Sequence, residues 1–178
     1  ELAAKFEPFS SATSQYPEDL WAWLETTSKE IGAEFVAIPH NSNISKGYMF
    51  DNKSLRGVPF TPESAALRAK WEPVAEATQF KGDSETHPAV SPNDPFADFE
   101  TYSHYIQQDP PPYDPKAGDY IRSALLRGLA IEERIGFNPY RFGLIGSTDS
   151  HTGLASAEEP NFWGKFPRDS IPENKRGI

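Results

Sequence analysis

Asp149 and His151 stand two residues apart in Gly146-Ser-Thr-Asp149-Ser-His151. On an extended strand end, positions i and i+2 point the same way, so one carboxylate and one imidazole face a common point. That pairing suits a divalent ion. The carboxylate neutralises a hard cation, and neutral imidazole ligates zinc, manganese or iron. The same two side chains can instead brace a turn by hydrogen bonding. A second candidate, His40, follows the apolar run Glu34-Phe-Val-Ala-Ile38 in Pro39-His40-Asn41-Ser-Asn43. There Asn41 and Asn43 bring amide donors and acceptors fit for substrate contact, although a lone histidine can equally satisfy a turn. Together the three residues His40, Asp149 and His151 are expected to ligate metal, with Asp149 and His151 also doing the chemistry.

Glu76 lies inside Val74-Ala-Glu-Ala-Thr-Gln79, an otherwise apolar strand pattern. A buried carboxylate is costly unless a cation, a donor or a metal faces it; an exposed edge or a salt bridge would also account for it. Lys81 opens the polar run Lys81-Gly-Asp83-Ser-Glu85-Thr-His87 and is placed to meet a substrate anion, or simply to lie exposed. His104 falls in a Pro-rich stretch and reads as structural. Ser147 and Ser150 flank the Asp149/His151 pair, but the spacing puts no base on either hydroxyl. No glycine-rich nucleotide loop, nucleophile elbow or H-E-x-x-H helix occurs, and with no Cys there is no thiolate or Cys-ligated zinc.

These residues need elements to hold them. Helix signals run from Pro17 to Ile31, where Gly32 supplies the stop, and from a Thr61 cap at Thr61-Pro62-Glu63 to about Trp71. A third helix runs from about Lys116 to Ile135, closed by Gly136. Each feeds an apolar strand: Glu34–Ile38, Val74–Gln79 and Phe142–Gly146. Helix–strand alternation of this kind predicts an α/β fold of parallel strands with covering helices, whose chemistry gathers at the carboxyl ends of the strands. A Pro-rich insertion at about 81–115 reads as a lid or a plain insertion. An irregular tail is expected from about 153 to 178.

The 178 residues are about one domain's worth, and 37% hydrophobic with 13% aromatic residues is globular composition. A net charge of −9 speaks against a nucleic-acid-coating surface. No apolar run reaches membrane-span length, and Glu1-Leu-Ala-Ala-Lys5 has no signal-peptide layout, which leaves cytoplasm and periplasm both open.

The stretches Ile38-Pro-His40-Asn-Ser-Asn43, Gln79-Phe-Lys-Gly-Asp-Ser-Glu85 and Phe142-Gly-Leu-Ile-Gly-Ser-Thr-Asp149-Ser-His151 resemble the PHP superfamily, named for polymerase and histidinol phosphatase. They look closest to a large bacterial branch catalogued as a domain of unknown function. The resemblance runs from about Trp21 to Phe166. It implies a distorted, TIM-like (β/α)7 barrel with a two- or three-metal site that hydrolyses phosphoesters by a metal-activated water. On it, His40 matches a mid-barrel histidine, Asp149 and His151 the final D-x-H ligands, and Glu76 an acidic strand position. The H-x-D-x-H strand of that family and two further ligands have no counterpart here. The chain therefore resembles the C-terminal half only, as one α/β domain or as part of a barrel. The implied missing half, or a second copy, would complete it, and the piece alone is expected to be weak or inactive. The reading that follows is a divalent-metal phosphoesterase acting on a small molecule. An amide or ester hydrolase and a non-catalytic domain binding a partner are the alternatives.

Overall fold

The computed structural model describes residues 7–153, 158, 160, 162 and 164–170. Three helices form where local punctuation demands them. The first, α1 (Pro17–Ile31), starts at a proline and ends at Gly32, whose φ of 67° is the left-handed cap that side chains resist; its N–H closes on the Ser28 carbonyl. Helix α2 (Pro62–Trp71) begins with a reciprocal cap. The Ser64 N–H donates to Thr61 Oγ1 at 3.2 Å, and the Thr61 N–H to Ser64 Oγ at 2.9 Å. Helix α3 (Ile121–Ile135) starts later than the sequence signal implied, because a separate 3-10 turn, Ala117–Asp119, occupies its first residues.

Three strands follow: β1 (Val74–Gln79), β2 (Gly82–Asp83) and β3 (Gly143–Gly146), in the order β2-β1-β3. β1 and β3 are parallel, pairing Val74 with Gly143 and Glu76 with Ile145, whereas β2 folds back antiparallel on Thr78 and Gln79. The expected strand Glu34–Ile38 forms no ladder. Among the described residues, this segment and the Pro39 that follows it make two backbone bonds to neighbours, Ala37 N–H to the Trp71 carbonyl and Glu76 N–H to the Pro39 carbonyl, and Pro39 has no N–H to extend the series.

The expected (β/α)7 barrel is overturned. The described residues give a small α/β unit of three helices on a three-stranded mixed sheet, and three strands, one of them reversed, cannot tilt and close around an axis. The sheet is open. β3 is its edge, with Leu144 and Ile145 at 52% and 37% exposure.

Two apolar clusters support the sheet. Phe50, Phe60, Ala75, Ile121, Ala124, Ile131 and Tyr140 form the larger, between α3 and β1; Trp21, Leu24 and Trp71 form the smaller, between α1 and α2. The stretch between β2 and α3 is irregular but packed. Ala97 and Tyr105 are buried in it, and the Tyr113 hydroxyl donates to the Asn43 carbonyl at 2.9 Å. Most of the tail expected from residue 153 lies outside the described residues; within the described part, Pro167–Ser170 is a 3-10 turn. No helix among the described residues is long and apolar enough to cross a membrane.

Candidate functional site

Glu76 organises the end of the sheet. It points from the middle of β1, is 6% exposed, and accepts from the Asn41 N–H and from the Ser147 hydroxyl, each at 3.4 Å. One carboxylate therefore ties the turn after Pro39 to the loop after β3. A second relay runs beside it. Gln79 Nε2 donates to Asn41 Oδ1 at 2.7 Å, and Gln79 Oε1 accepts from the Lys81 N–H at 2.8 Å. Asn41 and Asp149, one in each of the two loops, both sit at φ 55°, a left-handed conformation that non-glycine residues adopt at a cost.

Asp149 is the electrostatic centre. Its Oδ2 accepts from the Lys81 ammonium and, at 2.5 Å, from that of Lys165. The Lys81 side chain is 8% exposed and lies against the Phe80 ring, 4.4 Å from ammonium to ring centroid. Burial pulls the Asp149 carboxyl upward, but the hydrogen bonds from Lys165 and Lys81 outweigh it and hold the group at about 2. Burial and the neighbouring Lys165 push Lys81 below the ordinary lysine value, against the opposing pull of Asp149.

His151 stands beside this pair with its side chain half exposed. Its Nδ1 lies 2.8 Å from the Asp149 carbonyl, and its backbone N–H donates to the Lys165 carbonyl at 2.6 Å. A carbonyl only accepts, so Nδ1 carries a proton, and Nε2 is the ring nitrogen left to bind a ligand or exchange a proton. His40 is built alike, with Nδ1 3.1 Å from the Ile38 carbonyl. Both imidazoles thus have the carbonyl brace that metal-binding or proton-accepting histidines use.

The other expected residues divide. Asn43 is 1% exposed and spends its amide internally. Nδ2 donates to the Lys81 carbonyl at 2.9 Å, and Oδ1 accepts from the Ser84 hydroxyl at 3.0 Å. It is a brace with no face left for substrate. Asn41 and Glu76 hold the loops; Lys81 reaches the centre. Lys165 is the residue that sequence reasoning missed, for nothing in the tail distinguishes it until the chain returns to Asp149.

A divalent ion does not fit the residues as they are arranged. Among the described residues no group of three or more His, Cys, Asp or Glu is placed to hold one, and the Asp149 oxygen that would face it is taken by two ammonium groups. Zinc, manganese or iron stays an expectation from the sequence.

The family comparison settles membership. The family model described as "Protein of unknown function (DUF3604)" matches residues 1–177. The chain belongs to this family. No curated protein and no solved structure matches this DUF3604 chain.

Proposed function

We propose that the chain forms part of a hydrolase site for phosphoesters, working at the strand ends that carry Lys81, Asp149 and His151, to which the tail brings Lys165. One observation carries the reading. Two ammonium groups and an imidazole whose Nε2 meets no hydrogen-bond partner among the described residues come together at a single loop at the carboxyl ends of parallel strands, where α/β folds gather their chemistry. The ammonium groups would neutralise phosphoryl oxygens, and His151 Nε2 would take the proton of the attacking water as its oxygen bonds to phosphorus, then return that proton to the alkoxide released when the ester P–O bond breaks. Its Nδ1–H, held by the Asp149 carbonyl, keeps the ring in the accepting tautomer. No part of this scheme runs through a metal. A cation would first have to free Asp149 from both lysines and recruit donors beyond the described residues.

The test is turnover of p-nitrophenyl phosphate with manganese or zinc added and, separately, with chelator. His151→Ala is expected to lower any turnover by about 10²- to 10⁴-fold, the usual worth of a positioned base. Unchanged turnover in His151→Ala, or hydrolysis confined to carboxylic esters and amides, would remove the assignment.

A further inference from the structure

Resting on the same strand-end reading, the geometry points to a phosphate receptor made by the Lys81 and Lys165 ammonium groups, in which the Asp149 carboxylate is an internal placeholder that an incoming phosphate displaces. Three features argue for it. First, two cations meet on one oxygen of one carboxylate, so the cluster holds two positive charges against one negative. In a chain of net charge −9, a locally positive, largely buried pair is an exception that needs a use. Second, both ammonium groups lie over the Phe80 ring, at 4.4 and 4.8 Å from its centroid, and that ring is 46% exposed. The apolar wall limits hydration on one side and strengthens ion pairing there, while its exposure leaves the approach open. Third, the placeholder is held in an unfavourable backbone state. Asp149 has φ 55°, which non-glycine residues adopt at a cost, and lies past the end of β3, so moving it breaks no ladder hydrogen bond.

Charge selects the ligand class. With Asp149 moved aside, two cations face the entrant. A monocarboxylate would only repeat the balance Asp149 already gives, whereas a phosphomonoester dianion neutralises both. Phosphoryl oxygens also accept several hydrogen bonds at once, which matches donors arriving from two separate segments.

Inorganic phosphate is the probe, titrated into the 178-residue chain by calorimetry at low salt, where screening is weak. Saturable binding is expected, competed by sulfate and not by acetate. Asp149→Asn removes the competing anion and is expected to tighten phosphate binding by about tenfold, the scale of one lost charge–charge contact. Lys81→Met and Lys165→Gln are each expected to weaken it by a similar factor. Lys165 is the more exposed of the two, so its variant decides the matter if Lys81→Met does not fold. Weaker or unchanged binding in Asp149→Asn overturns the receptor, as does unchanged binding in both lysine variants or competition by acetate as strong as by sulfate. Because the titration involves no turnover, it stands apart from the hydrolase reading. Phosphate binding without ester hydrolysis would retain the receptor and remove the enzyme; hydrolysis with no phosphate effect in these variants would remove the receptor and leave of the hydrolase reading only the base, His151.

Discussion

At the residue scale, Asp149 is where backbone strain, burial and charge are balanced against one another. Its folded value of about 2 lies below the roughly 3.9 of a free aspartate, so the unfolded chain binds the proton more readily. The stability it contributes is therefore present above about pH 4 and lost as pH falls toward 2. The carboxylate carbon of Asp149, followed by NMR, is expected to titrate near the bottom of that window. In Lys165→Gln one of the two opposing hydrogen bonds is gone, and the midpoint is expected to move upward toward the ordinary value. A midpoint that stays put would show that Lys165 does not hold the carboxylate in solution. Much of this site could be read from residue types alone. A carboxylate and an imidazole two apart at a strand end, and a lysine just past a neighbouring strand, announce themselves. Lys165 does not, because it comes 14 residues after His151 and gets its role from a tertiary return. Asn43 misleads for the opposite reason: the same amide that could grip a substrate here braces Ser84 and the Lys81 carbonyl.

At the scale of elements, the helices were legible because proline, threonine and glycine mark their ends chemically. The strands were less so. An apolar run states that a segment is to be covered, not what covers it: Glu34–Ile38 finds too few partners for a ladder, and β3 is left exposed at an edge. β2 is two residues long and follows from the turn at Gly82, where φ is 96° and an added Cβ would meet Tyr102 at 2.4 Å. Gly128, in the middle of α3, makes an element-level prediction in which two effects compete. Replacing it by alanine gains about 1 kcal/mol of helix propensity. The new Cβ, however, would lie 2.2 Å from Asn138 Oδ1, which accepts the Tyr140 N–H at 2.8 Å and so shapes the turn into β3. Asn138 is 7% exposed and has little room to retreat. Overpacking of about 1–3 kcal/mol is expected to win, and Gly128→Ala should unfold at lower urea than the native chain. A higher midpoint would show that Asn138 moves freely.

For the whole molecule, the question is how two small cores behave as one. They meet at a polar joint. Arg68 on α2 and Glu72, which caps its C-terminal end, are each 7% exposed and pair at 2.8 Å between the clusters. Glu72 Oε1 accepts from the Trp21 indole at 2.9 Å, on the side of the smaller core. Arg68 donates to the Met49 carbonyl at 2.9 Å and to the Tyr140 hydroxyl at 3.4 Å, on the side of the larger. The guanidinium also lies over the Tyr140 ring, 4.7 Å from its centroid. Removing one partner leaves the other largely buried without its ion pair. Arg68→Met is expected to cost about 3–5 kcal/mol, since Glu72 then keeps only the indole donor. Glu72→Gln keeps one acceptor oxygen where the carboxylate offers two, so either the Trp21 indole or the Arg68 guanidinium then faces an amide donor, and about 1–3 kcal/mol is expected. Because the two side chains share one network, the double variant should fall short of the sum by at least about 0.5 kcal/mol. Urea unfolding followed by tryptophan fluorescence and by circular dichroism supplies all four corners of the cycle. It also tests the larger point. If Arg68 and Glu72 join the cores, the two probes should trace one transition in the native chain and separate in Arg68→Met, where Trp21 and Trp71 lose their tie to Tyr140. Strict additivity with coincident transitions throughout would mean that the sheet, not this joint, makes the molecule cooperative.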